Sequence, residues 1–126
     1  MTELPPFALG YPRTELRRQL VEAVLTGDKT ATSGLWSEYE AEGETIDWPG
    51  KRYVLHDFDD KPVAIVEITD ARVVPASEID LEFARDEGEG FESVDDWRVA
   101  HEDFFQQPIE PDTKIVAVRF RVVEQL

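Results

Sequence analysis

The segment Gly27-Asp28-Lys29-Thr30-Ala31-Thr32-Ser33-Gly34 sets one lysine among small, hydroxyl-bearing neighbours in a strongly acidic chain. Lys29 and Thr32 are three residues apart, so a single turn of backbone can bring an amine to a hydroxyl. An amine that loses its proton on burial can take the hydroxyl's proton and make the threonine a nucleophile. An amine that keeps its proton orients an anion or a carbonyl instead. The plainer alternative is an exposed turn in which Thr30 or Thr32 caps the next element. A phosphate-cradling loop is excluded: the lysine follows an aspartate, the first glycine is missing, and the loop leaves a helix rather than a strand.

The second chemical stretch is FARDEGEGFESVDDWRVAHEDFF, residues 83–105. Its carboxylates sit beside two glycines between two short helices, where a glutamate can pair with Lys29 and carry a proton to a leaving amine. The glycine after Glu87 comes too early for a calcium loop, and no metal site is expected. Asp95 and Asp96 read as helix-start charges that favour the macrodipole. With no cysteine, thiolate chemistry and disulfides are excluded. Of the two histidines, His101 reads as packed beside Trp97, and His56 carries no signal. Neither has the context of a Ser-His-Asp triad.

These residues need elements to hold them. Leu16, Leu20, Val21, Val24 and Leu25 recur at helical spacing, with Arg17, Arg18 and Glu22 on the other face. Thr14 is the expected N-cap, and Gly27 the residue just past the end. The lysine segment is then the loop leaving this helix. Residues 35–50 read as irregular or a short helix, with Trp36, Tyr39 and Trp48 interleaved among acids. RYVLHDF and PVAIVEIT read as strands around the turn at Asp59-Asp60-Lys61, and ARVV extends the sheet after a bend. Ser77 with Asp80 predicts a capped helix from Glu78 to about Arg85, broken at Gly88-Glu89-Gly90. Ser93 with Asp96 starts another, whose stripe Trp97, Ala100, His101, Phe104 and Phe105 reads as core rather than as base-stacking aromatics. KIVAVRFRVVEQL closes the chain as a half-buried strand, with Val116, Val118, Phe120 and Val122 on one side and Arg119 and Arg121 on the other. The order predicts an α+β fold with a mainly antiparallel sheet able to curl into a barrel.

The 126 residues fit one domain, 1–126. Thirteen Lys and Arg against 28 Asp and Glu give a net charge of −15. Such a surface repels a long polyanion unless its few cations gather on one face, and it admits small, weakly charged substrates. No sequence readout of DNA is expected. No leader or long apolar run is visible, so the expected location is cytoplasmic, with no membrane partner.

The ordered set Gly27-Asp28-Lys29-Thr30-Ala31-Thr32, FARDEGEG, WRVAHEDFF and VRFRVV resembles the ASCH domain family, in particular a bacterial stand-alone subgroup. The resemblance runs from about Leu16 to Val123. It implies a PUA-like, curled β-barrel flanked by short helices, with a cleft where the lysine loop faces the barrel. The family is generally regarded as RNA-binding; some small bacterial members hydrolyse the amide of N(4)-acetylcytidine, and ribonuclease activity is reported for others. In the amidohydrolases a Lys and a Thr of a Gly-x-Lys-x-x-Thr motif act with a later Glu. Those positions match Lys29, Thr32 and Glu87, with Glu89 two residues from the last. The broader family often has an arginine where this chain has Gly34; Arg119 or Arg121 is the expected substitute.

The expectation is therefore a nucleoside-level amidohydrolase needing no cofactor. Thr32 attacks, Lys29 takes its proton, and Glu87 positions Lys29 and assists the leaving amine. The backbone N–H groups of Ser33 and Gly34 would hold the oxyanion, Trp36 or Trp48 would wall a flat slot, and Arg119 would contact substrate. The alternative is a non-catalytic RNA-binding module, with Lys51, Arg52, Arg119 and Arg121 gathered around the cleft. A ribonuclease or a protein-interaction domain comes after it.

Overall fold

The computed structural model describes residues 4–7 and 15–126. The N-cap expected at Thr14 lies outside the described residues. Helix α1 (Glu15–Thr26) leads into β1 (Ala31–Leu35) and α2 (Trp36–Glu42). β2 (Arg52–His56) and β3 (Pro62–Pro75) follow, then a 3-10 turn at Ala76–Glu78, α3 (Leu81–Asp86), α4 (Val94–Phe105) and β4 (Lys114–Gln125). The strands form one antiparallel sheet in the order β1-β4-β3-β2. Its register slips at Leu55/His56, Ile65/Val66 and Ile68/Asp70. Each slip adds local twist, and together they curl the sheet into a half-barrel.

Each face of the sheet carries a core. On one, Val21 and Val24 of α1 pack with Leu55, Val66, Ile68, Val116, Val118 and Phe120. On the other, Phe83 and Ala84 of α3 and Trp97 of α4 pack on Ala31, Leu35, Ile115 and Ala117. Strand β4 serves both cores, so Ile115–Val118 is buried on both faces where half-burial was expected.

Four further expectations change. The lysine segment is only partly loop, because Ala31–Leu35 pairs with β4 as an edge strand. Arg17, expected on the solvent face, is buried against Asp60 at 2.6 Å. The cap of α3 is Asp80, which accepts from the Phe83 N–H at 2.9 Å, rather than Ser77. On α4, Ser93 caps as expected, accepting from Asp96 N–H at 3.0 Å. Trp97 and His101 are buried there, but Ala100 and Phe104 are exposed because only the Trp97–His101 line meets the sheet.

Candidate functional site

Two chain turns meet at the site. After α1, the Lys29 N–H returns to Ala23 O at 3.0 Å, and the Thr30 N–H donates to Asp86 O at 2.7 Å. Asp86 and Glu87 end α3, where helix carbonyls lack partners within the helix. The Lys29 ammonium docks on that end: Nζ donates to Glu87 O at 3.1 Å and to Ala31 O at 2.9 Å. A cation at a helix C-terminus also meets the negative end of the macrodipole. Gly88 allows the approach. It has φ +73°, and a Cβ there would lie 2.8 Å from Asp28 O and from Lys29 Cα.

Lys29 and Glu87 are 2% and 1% exposed, and Nζ lies 3.9 Å from Glu87 Oε1. Glu87 Oε2 accepts from Ser33 Oγ at 3.0 Å and from the Trp97 indole N–H. His101 completes the cluster. Its Nδ1 lies 2.7 Å from Trp97 O, and its Nε2 lies 3.4 Å from Glu87 Oε1. Both ring nitrogens thus face acceptors, whereas a neutral imidazole has one N–H. Two acceptor-facing nitrogens favour the doubly protonated imidazolium at His101.

Burial pushes the Lys29 amine below its ordinary range, against the pull of Glu87 and Glu89. For His101, burial pulls the imidazole down, but the hydrogen bond and charge of Glu87, the Trp97 carbonyl and Glu89 outweigh it and raise it. Partial burial raises the Glu89 carboxyl, opposed by Lys29 and aided by Glu87. The ligand atoms of Glu87, Glu89 and His101 lie within 4.8 Å of one another, a spacing a metal ion could bridge. Glu87, however, already accepts from Ser33 and Trp97 and faces Lys29, so the donors around it favour a proton-sharing network over a cation cage.

Lys29, Thr32, Ser33, Glu87, Glu89 and His101 line one cavity of about 330 Å³. Thr32 and Ser33 also line a larger one of about 610 Å³, bordered by Gly34, Tyr39, Asp47 and Tyr53. Side chains of successive strand residues leave opposite faces: Ser33 reaches Glu87, while Thr32 pairs across the ladder with Val118. Thr32 has no hydrogen bond to Lys29 or Glu87 among the described residues. Of the two carboxylates left open by the sequence, Glu87 is the buried one and Glu89 sits exposed at the mouth.

The other candidates fall elsewhere. Trp36 stacks on Tyr39, with ring centroids 6.3 Å apart, behind the larger cavity. Trp48 is 53% exposed and carries Lys51 Nζ 4.5 Å over its ring. Arg119 is held by Asp86 at 2.7 Å and lies over Phe83, so it does not take the place of an arginine at Gly34. Sequence reasoning missed His101 as part of the cluster. Its four-residue spacing from Trp97 was the signal available, but nothing local points to Glu87.

The family model for the ASCH domain matches residues 8–124. Among solved structures, a protein from Enterococcus faecalis V583 is 27% identical, with a TM-score of 0.86. The match covers 99% of this chain and 79% of that one. An ASCH domain from Lactobacillus crispatus JV V101 is also 27% identical, with a TM-score of 0.81 over 97% of this chain and 80% of that one. No curated protein matches the chain. The curled half-barrel with its short helices is the PUA-like fold of these neighbours, as the sequence predicted.

Proposed function

We propose, for a chain that belongs to the ASCH domain family, hydrolysis of the exocyclic amide of N(4)-acetylcytidine-like acylated nucleosides at the Lys29, Thr32 and Glu87 cavity. The observation that carries this reading is the buried amine. Two carbonyls hold two of the tetrahedral positions around Lys29 Nζ, and burial favours the neutral form. A neutral amine can donate to both carbonyls and still keep a lone pair to accept a proton.

Thr32 Oγ1 attacks the acyl carbon, and its proton passes to Lys29 Nζ. The tetrahedral intermediate collapses by breaking the C–N bond, and the departing nitrogen takes the proton from Lys29. Water, deprotonated by Lys29, then attacks the acyl-threonine ester; the carboxylic acid leaves and Thr32 regains its proton. The net reaction adds one water to one amide. Glu87, fixed by Ser33, Trp97 and His101, holds the charge that Lys29 acquires between steps. Thr32 has no hydrogen bond to Lys29 among the described residues, so the proton transfer between them requires one to form when substrate is bound.

The expected cationic track for RNA lacks support. Lys51 is paired with Asp47 at 3.9 Å, Arg52 and Arg121 with Glu67 at 3.2 and 2.8 Å, and Arg119 with Asp86 at 2.7 Å. Cations already neutralised by carboxylates release few counterions from a phosphate backbone.

The test is cytidine release from a panel of N(4)-acylated cytidines, with Lys29→Ala, Thr32→Ala and Glu87→Gln alongside. Turnover by the unaltered protein that falls at least about 100-fold in each variant supports the assignment. An inert protein across the panel sinks it.

A further inference from the structure

The free edge of β1 carries an additional feature. Phe120 N–H donates to Thr30 O at 3.0 Å, which fixes the phase of the β1–β4 ladder. In an antiparallel pair the backbone groups of alternate residues face the partner. Thr32, opposite Val118, and Gly34, opposite Val116, share the phase of Thr30 and turn inward. The Gly34 N–H, expected as an oxyanion donor, is therefore used in the sheet. Ala31 and Ser33 turn outward. Lys29 Nζ sits on the outward Ala31 carbonyl, which confirms the phase. The outward N–H and C=O of Ser33 have no hydrogen-bond partner among the described residues, and Ser33 stands in the wall of both cavities.

A donor and an acceptor on one residue, side by side, match an adjacent acceptor and N–H donor on the edge of a flat ring, as one strand matches the next. The larger cavity offers the space. Tyr39 and Tyr53 line it, and Gly34 contributes no side chain; a Cβ there would press on Tyr39 at 3.3 Å. The Tyr53 hydroxyl donates to Asp47, and burial together with that aspartate raises its pKa, so both aromatic walls stay neutral at ordinary pH. Glu44 and Asp47 outnumber Lys51 around the rim, a balance that disfavours a phosphate.

We propose that β1 divides one substrate cleft: an uncharged pyrimidine nucleoside occupies the larger cavity with its ring edge on the Ser33 N–H and C=O, and the group attached to that edge passes into the smaller cavity. This rests on the hydrolase reading for its orientation, but it concerns binding and stands or falls separately. For cytidine, Ser33 N–H donates to ring N3, and the exocyclic N–H donates to Ser33 O.

The test follows the Ser33 amide by NMR while the unaltered protein is titrated with cytidine, N4,N4-dimethylcytidine and cytidine monophosphate. The expected result is a Ser33 amide shift with cytidine. Dimethylcytidine, which lacks the donor, should bind roughly tenfold or more weakly, and the monophosphate should also bind more weakly. Ser33→Pro removes an outward N–H without breaking the ladder and should weaken cytidine by a similar factor relative to Ser33→Ala, which loses the same hydroxyl but keeps the N–H. Cytidine binding with an unmoved Ser33 amide, equal binding of the dimethyl analogue, or no pyrimidine binding at millimolar concentration would each overturn the proposal. A cytidine-induced shift without turnover of acylated cytidines sinks the hydrolase reading alone; turnover without the shift sinks this one alone.

Discussion

The two cavities that meet at β1 use the same ionic chemistry in different solvents. In the smaller, Lys29 and Glu87 are 2% exposed at the side chain and 3.9 Å apart. In the larger, Lys51 and Asp47 are 28% and 18% exposed at the same 3.9 Å. Distance does not separate these pairs; burial and the surrounding donors and acceptors do. Lys29 is fixed by two carbonyls, Ala31 O of β1 and Glu87 O at the end of α3, while Lys51 lies partly exposed over the rings of Trp48 and Tyr53. On the proposed reading, this difference is what suits Lys29 to act as a base, while Lys51 stays a charge on the rim.

The broadest way to break that comparison is to delete each cation. Lys29→Met strands the buried carbonyls of Ala31 and Glu87 that Nζ satisfies and should cost about 2–5 kcal/mol. Lys51→Met should cost no more than about 1 kcal/mol. Urea unfolding of both variants at pH 7 measures the difference. Equal losses would mean that the buried pair is worth no more than a surface one.

A narrower test asks what holds Lys29 in place. Gly88→Ala must adopt φ +73° and drive its Cβ against Asp28 O and Lys29 Cα, whereas Gly43→Ala meets φ +70° with nothing within 4 Å. The shared backbone strain is about 1–2 kcal/mol. The excess for Gly88→Ala, expected to be a further 1–3 kcal/mol of overpacking, reports the docking of the lysine turn alone. Loss of cytidine release should accompany the first variant and not the second. If the two variants unfold at the same urea concentration, the α3 exit does not clamp Lys29.

How much of this was legible in the sequence follows from the same physics. Helix α1 and strands β2 to β4 show hydrophobic periods, because each buries a regular face within its own span. Strand β1 shows none: Ala-Thr-Ser-Gly-Leu has two buried ends and a polar middle, and only its distant partner β4 makes it a strand. The lysine and the threonine were identified by their spacing, but that Thr32 lies on an edge strand, with its side chain and that of Ser33 leaving opposite faces, was not. Glu87 and Glu89 were inseparable by pattern. Gly88 between them turns the chain so that one points inward. His101 was read correctly as packed, and what it packs against could not be read. Trp97 is four residues away on the same helix, but Glu87 arrives from the end of another.

His101 gives the finest test. Facing it are Glu87 from the end of α3, Glu89 from the following loop and the Trp97 carbonyl on its own helix, with Lys29 behind Glu87. Its pKa is raised above 6.5 in the folded protein, so the unfolded chain releases this proton first as pH climbs. The stabilisation is fully present below about 6.5 and is lost as pH rises through the folded value. Lys29 behaves oppositely. Its folded pKa is lowered from 10.5, so its penalty is relieved as pH rises toward 10.5. Subtracting the stability of His101→Gln from that of the unaltered protein, at pH 5.5, 7 and 8.5, removes most of the lysine contribution and leaves the imidazole together with its pull on Glu89. The difference should be largest at pH 5.5 and shrink at each step. A difference that stays flat would mean that His101 is neutral beside Glu87.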